Sequence, residues 1–448
     1  MGFFSGKARV LKVFGGAALV VGVGAYLFNT VRPSAPDEGK LGGPLPGLTA
    51  RQLALFYKTK ETFKKEFTPA EGLGPLFNGK SCFECHGQPG VVGGEGRDTS
   101  STNIVNFAKR VGPKAAKPMS EVIANLGRSD CDVYLNAGGP SMQRRSITTE
   151  FPNLYPFECQ LDFDKIPVEA DIQSPRHSPP VFGDGLIDQI PDQEILRNAL
   201  DQSVHPLMAG RPLPEVDRYT ESARIGHLGW KAQNINLFNF TTQAMNIEMG
   251  LTTFQNAVEN SSTQFGSLPS CIMRQLPPRI DDTGKILVEL NYFQSMLAPP
   301  PRGEITEQVK RGERLFDRTG CIICHKPDAH TVPRAYVPDP ESPIPKLKYM
   351  HVEALSNKTF HPYSDFLLHD MGVELADGFP QEGAKSGEWR TTPLWGLRFK
   401  KFLLHDGRTT SRHQAIMVHG GQGRYSKEAY EKLTKEEKED LLAFLNSL

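Results

Sequence analysis

The chain has no excess of charge of either sign. Its 51 Lys and Arg residues balance 51 Asp and Glu, which argues against the basic footprint of a nucleic-acid-binding protein and against a general membrane-surface role. Strand-like alternation of apolar and polar residues is scarce, so the sequence predicts a mainly α architecture. Past the N-terminus no apolar run approaches the ~20 residues that a membrane span needs. Cysteine is sparse, seven in 448 residues, and tryptophan sparser still, at three; each can be considered singly. Turn-formers are the opposite case. With 42 Gly and 35 Pro, much of the chain must be irregular, although its length suffices for two or three domains with cores.

Four of the seven cysteines fall in two pentapeptides, Cys82-Phe83-Glu84-Cys85-His86 and Cys321-Ile322-Ile323-Cys324-His325. At this Cys and His content, chance supplies about 0.003 such pentapeptides per chain. The pattern reads as covalent c-type haem attachment, in which the cysteine pair forms thioethers and the histidine ligates iron from the proximal side. A zinc site would want further Cys or His close by, and neither motif has a second Cys pair near it. The expected cofactors are two covalently bound haems, attached through Cys82, Cys85, Cys321 and Cys324, with His86 and His325 on the irons.

At the N-terminus Lys7, Arg9 and Lys12 precede an apolar run from Val13 to Phe28. The run is short for a spanning helix but suits a signal h-region or a tilted anchor. No clear A-x-A cleavage site follows, which favours an uncleaved anchor. Either way the body is expected outside the cytoplasm, in the periplasm, held at the inner membrane in the anchored case. An oxidising compartment permits one disulfide among Cys131, Cys159 and Cys271; Cys131 and Cys159 are nearest in sequence.

Residues 29–48 are Pro/Gly-rich and read as a linker. Over 49–67 Leu53, Leu55, Phe56, Phe63 and Phe67 recur at helical spacing. An insert over about 90–175 is polar and turn-rich. Helical stretches follow at 192–200 and within 231–260. A clearer helix runs from Asp281 to Leu297, with Asp282 as N-cap and Pro299-Pro300-Pro301 as its stop. Glu304 to Phe316 reads as a helix directly before the second pentapeptide. Near the end, Thr434 and Glu437 form a capping box ahead of Leu441, Leu442, Phe444 and Leu445. Helix, haem motif, loop, terminal helix is the layout of a small cytochrome c. It predicts an anchor and linker over 1–48, an N-terminal haem domain over 49–300 carrying the insert, and a C-terminal cytochrome c-like domain over 301–448.

Further segments carry a resemblance. Thr391-Thr392-Pro393-Leu394-Trp395-Gly396, Leu404-His405-Asp406-Gly407-Arg408, His413-Gln414-Ala415-Ile416 and His419-Gly420-Gly421 are similar to the diheme cytochrome c peroxidase superfamily, which includes MauG. Within it the chain most resembles the diheme branch often called thiol oxidoreductases. Gly72 to Asn78, Arg176 to Gly183, Gly229-Trp230-Lys231-Ala232, Glu248 to Thr252 and His361 to Gly372 fit that branch as well. Together they cover most of 70–448, the insert matching only loosely.

The resemblance implies a division of labour. The haem on His325 would transfer electrons, with His419 as its sixth ligand and Met371, His369 and Met417 as rivals. The haem on His86 would react with peroxide or O₂, with Gln243 and Glu248 handling protons and polarising the O–O bond; His177 and His227 are the candidates for closing that site at rest. Trp230 would lie between the haems and relay electrons, Trp389 and Trp395 would pack around the second haem, and His405 with Asp406 would form a buried turn beside it. A calcium ion, held partly by backbone carbonyls near Thr391-Thr392-Pro393, is also implied. The expected function is an exported peroxidase-like diheme oxidoreductase, reduced by a small redox protein or an organic donor. Its alternatives are a diheme electron-transfer cytochrome without turnover and a haem-based gas or redox sensor.

Overall fold

The computed structural model describes residues 35–97, 104–108, 141–155, 159–162, 172–217, 221–257, 270–273, 280–342 and 346–448. The run Val13 to Phe28 and Cys131 lie outside the described residues; among the described ones no helix is long and apolar enough to cross a membrane. In chain order the helices that position the site are α1 (Ala50–Lys64), α2 (Asp192–Gln202), α3 (Leu237–Met249), α4 (Lys285–Met296), α5 (Glu307–Arg318), α6 (Arg412–Met417) and α7 (Lys435–Leu445). The described strands are two to five residues long and pair only two at a time, so the molecule is mainly α, as expected.

Helix starts follow side-chain caps. Thr49 with Gln52 and Thr434 with Glu437 form capping boxes on α1 and α7. Thr306 accepts the Val309 amide, which is why α5 begins at Glu307 rather than Glu304. In α4 the first helical residue is Lys285, behind Gly284 at φ 120°. Asp282 still caps it from outside, accepting the amides of Gly284, Ile286 and Leu287 at 3.0, 3.0 and 2.8 Å, the role that orphan helix N–H groups demand.

Two helix pairs carry two cores. In the first, α1 and α4 meet through Phe63 and Phe293, ring centroids 4.8 Å apart. In the second, α5 and α7 meet through Phe316 and Phe444 at 5.1 Å. The second crossing is close because of Gly312, where a Cβ would fall 2.0 Å from the Asp440 carbonyl oxygen. Helix α4 is buried all round from Leu287 to Met296. Its cover comes partly from the other half of the chain: Ala335, Val337, Val352, Leu355 and Phe360 belong to the first core. Residues 329–367 thus share the first core with the N-terminal part of the chain. The stretch before residue 48 is not a free linker, since Leu45 and Leu48 are buried and Ala298 and Leu45 bond to Gly43 and Met296 across it.

The ends of the insert are tied together by an antiparallel pair, β1 (Ile104–Ala108) and β2 (Ile172–Arg176). Later β3 (Leu368–Asp370) pairs with β4 (Glu388–Arg390), setting His369 opposite Trp389. Cys159 bonds Cys271 across 112 residues. The nearest pair in sequence is thus not the bonded one: Cys159 is buried in the first core with Cys271 packed against it, and burial in a shared core decides the partner.

Candidate functional site

The first pentapeptide forms a one-turn helix, Cys82–Cys85, capped by Ser81. His86 ends it, and its Nδ1 lies 2.8 Å from the Pro179 carbonyl. A carbonyl can only accept, so Nδ1 carries the proton and Nε2 is left as the ligand atom. Burial lowers the His86 pKa to about 4, keeping the ring neutral. Cys82, Cys85 and His86 open into a cavity of about 240 Å³. Helix α3 forms part of its wall with Phe240, Gln243, Ala244, Ile247 and Glu248.

Two glycines bring α3 there. A Cβ on Gly74 would sit 2.5 Å from Gly250 Cα, so the loop before the haem motif can touch the end of α3 only with glycine at both points. The Gly74 amide bonds Met249 O at 2.9 Å, and those of Asn78 and Gly79 bond Glu248 O at 2.7 and 3.0 Å. Asn78 Nδ2 donates to the Glu248 carboxylate at 3.1 Å. Burial raises the Glu248 pKa to about 7, against the lowering effect of that bond.

The second motif repeats the proximal geometry. His325 Nδ1 lies 3.1 Å from the Tyr363 carbonyl, and burial lowers its pKa to about 4. Its cavity, about 220 Å³, is lined by Cys321, Cys324, His325, Met371 and His419 among others. His419 is anchored as the proximal histidines are, Nδ1 2.7 Å from the Ala415 carbonyl. Met371 and His419 stand side by side, each about the same distance from where a Gly423 Cβ would be. Two rivals fall away. Met417 does not line the cavity. His369 has both nitrogens engaged, Nε2 with Asp365 at 2.9 Å and Nδ1 with Cys324 Sγ at 3.6 Å. Burial lowers its pKa, but Asp365, with Cys324 adding to it, raises it to about 10.

A common wall separates the cavities. Trp230, Glu95, His177, Pro179, Arg390 and Lys400 line both. Trp230 Nε1 donates to the His177 carbonyl at 3.0 Å, two residues before the carbonyl that anchors His86. The structure thus brings Trp230, Gln243 and Glu248 to the first cavity and Trp230 to the second as well. Trp395 lines the first cavity rather than the second, where the resemblance had put it; Trp389 stays with the second, stacked on His405 at 3.8 Å. His227 lines neither cavity and is an enclosed core histidine, Nδ1 on Ile225 O. The Thr391 carbonyl, which calcium would need, already accepts Ser364 Oγ at 2.6 Å and Arg390 Nη1 at 3.2 Å.

The residues fit a haem in each cavity. The four motif cysteines are free of disulfides, and the two anchored histidines present unprotonated Nε2. The sequence reading missed the cations that complete the fit. Burial lowers Arg390 to about 10 and Lys400 to about 8, and Arg412 Nε, lining the second cavity, is buried without a hydrogen-bond partner among the described residues. Such donors call for a buried anion, and haem carboxylates would supply it. Spacing carries no signal for them; a buried Arg and a surface Arg are spelled alike.

Residues 168–448 match the family model described as "Di-haem oxidoreductase, putative peroxidase". No curated protein matches the chain. Among solved structures, the diheme peroxidase BthA from Burkholderia thailandensis E264 is 14 % identical, covering 94 % of this chain and 95 % of its own, with a TM-score of 0.36. A MauG-like protein associated with microbial copper homeostasis is 15 % identical over 77 % of this chain and 92 % of its own, with a TM-score of 0.29. A Kuenenia stuttgartiensis hydrazine synthase is 14 % identical over 99 % and 100 %, with a TM-score of 0.36.

Proposed function

The chain belongs to the di-haem oxidoreductase family, and on that premise we propose that it is an exported c-type enzyme that reduces peroxide, with O₂ as the second candidate oxidant. Cys82, Cys85 and His86 would hold the haem at which the oxidant reacts, and Cys321, Cys324 and His325 would hold the haem that supplies electrons. Haem iron with an open coordination position supplies the redox chemistry for O–O cleavage.

Every other task falls to side chains. Glu248, part-ionised at pH 7 with its pKa raised to about 7, in its ionised form takes the proton from the near oxygen of peroxide and returns it to the far one. Gln243 offers amide hydrogens in the same cavity and orients the bound oxidant. His419, in the cavity with His325, would be the second protein ligand of that haem and so reserve it for electron transfer. Trp230, in the wall common to both cavities, relays single electrons. Arg390, Lys400 and Arg412 neutralise the haem carboxylates. The reductant is a small redox protein or an organic donor, and the site of action is the periplasm, with attachment to the inner membrane through the N-terminal run.

The observation that carries this reading is the inequality of the two cavities: a carboxyl held near neutrality faces the first, and an anchored histidine faces the second. The test is the spectrum of the holoprotein. The ferrous form should bind CO at one haem only, and peroxide should perturb that haem. A protein with two low-spin haems, inert to both reagents, would be an electron-transfer cytochrome; one that binds CO but turns nothing over would be a sensor. His419→Ala should convert the second haem to high spin, and an unchanged spectrum would transfer the ligand role to Met371.

A further inference from the structure

Two indoles border the second cavity, Trp230 and Trp389, and their surroundings are electrostatically opposite. The Lys231 ammonium lies over the Trp389 ring, 4.0 Å from its centroid. It cannot leave: Lys231 is 0 % exposed and donates to the carbonyls of Lys385, Ser386 and Glu388 at 2.9, 3.0 and 3.2 Å. The Arg176 guanidinium lies 5.6 Å from the same ring. One carboxylate answers both, Asp377, at 3.5 Å from Lys231 and 3.2 Å from Arg176, so the group keeps one net positive charge, with Lys231 the nearer cation. Among the described residues, no cation stands over the Trp230 ring in this way.

A cation over a neutral indole is attracted by the ring's negative face. Once the indole loses an electron it carries a positive charge, and the same cation repels it across 4.0 Å of enclosed protein,. We propose that Lys231 is a positioning residue for electron flow: it keeps Trp389 from being oxidised, so that Trp230 alone carries electrons between the centres. Lys231 has this task only if the centres exchange single electrons, as proposed above. Each peroxide takes two electrons and two protons to give two waters. The electrons come one at a time from the Trp230 indole, which is refilled from the second centre. A radical cation on Trp389 would lie outside that route and would end in irreversible oxidation of the ring.

The test uses the full-length holoprotein and an oxidant that needs no haem reactivity, photogenerated ruthenium(III) tris-bipyridine. Oxidised tryptophan is quantified by peptide mass spectrometry, and the readout is the ratio of modified Trp389 to modified Trp230. In Lys231→Met the ratio should rise at least about tenfold over the unaltered protein; an unchanged ratio overturns the proposal. Should that variant fail to fold, the unaltered protein gives the same answer by titration. Burial lowers the Lys231 pKa to about 8, with Asp377 and Glu388 raising it and Arg176 lowering it. The ratio should therefore climb between pH 7 and 9.5, and a flat profile overturns the proposal. A rise under photo-oxidation in a protein that ignores peroxide would leave the Lys231 assignment standing and sink the peroxidase reading instead.

Discussion

On the proximal side, Phe63 of α1 stands 6.4 Å from the His86 ring at 53°, and Phe316 of α5 stands 6.3 Å from the His325 ring at the same 53°. Each phenylalanine packs on the partner helix, Phe293 of α4 or Phe444 of α7, and each histidine gives its Nδ1 proton to a backbone carbonyl. The opposite walls differ from each other. One has Gln243 and Glu248 on a helix pinned by paired glycines; the other has His419, two residues past the end of α6 and beside Met371. The same Cys-x-x-Cys-His device is used twice, and what differs is the wall of the cavity opposite it. Function therefore resides in the distal elements, which the pentapeptides do not encode.

The largest effect that would break the comparison is on the first cavity alone. Glu248→Gln should slow peroxide turnover by about 10²–10⁴-fold and leave the spectrum of the second haem untouched. In the unaltered protein the peroxide reaction should speed up as pH rises through about 7, because the carboxyl must lose its proton before it can accept one from peroxide. The variant should lose that step; stopped-flow traces from pH 5 to 9 decide it.

The proximal likeness is tested by stability. Phe63→Ala and Phe316→Ala should each cost about 3–5 kcal/mol in denaturant unfolding, similarly in the two units; a large imbalance would end the parallel. Among the described residues, only the first core holds a disulfide. Cys271→Ser should cost about 2–4 kcal/mol and lower the unfolding midpoint of the first unit, read from the His86 haem band. The smallest effect belongs to the second unit. Gly312→Ala places a Cβ against the Asp440 carbonyl and should cost roughly 1–3 kcal/mol, loosening α5 from α7 without changing Glu248-dependent kinetics.

What was legible in the sequence follows from range. Local signals carried furthest: the capping box at Thr434 and the turn of each Cys-x-x-Cys-His pentapeptide span only a few residues, where spacing alone sets geometry. The helix bearing Glu248 was legible as a helical stretch, but its pairing with Asn78, 170 residues away, was not. The Cys159–Cys271 bond, the cover of α4 by residues 329–367 and the cations in the common wall are long-range facts. Nothing in local spelling distinguishes Lys231, fully enclosed, from the many exposed lysines.

The borrowing of residues 329–367 by the first core has a consequence for biogenesis. A chain emerging from the ribosome presents Cys82, Cys85 and His86 long before Val337, Val352, Leu355 and Phe360, and domains tend to fold as they emerge. The first cavity waits longer still, because Gln381, Arg390, Thr392 and Trp395 line it and emerge only after the second motif. A chain cut near residue 300 would leave α4 uncovered and that cavity open on one side.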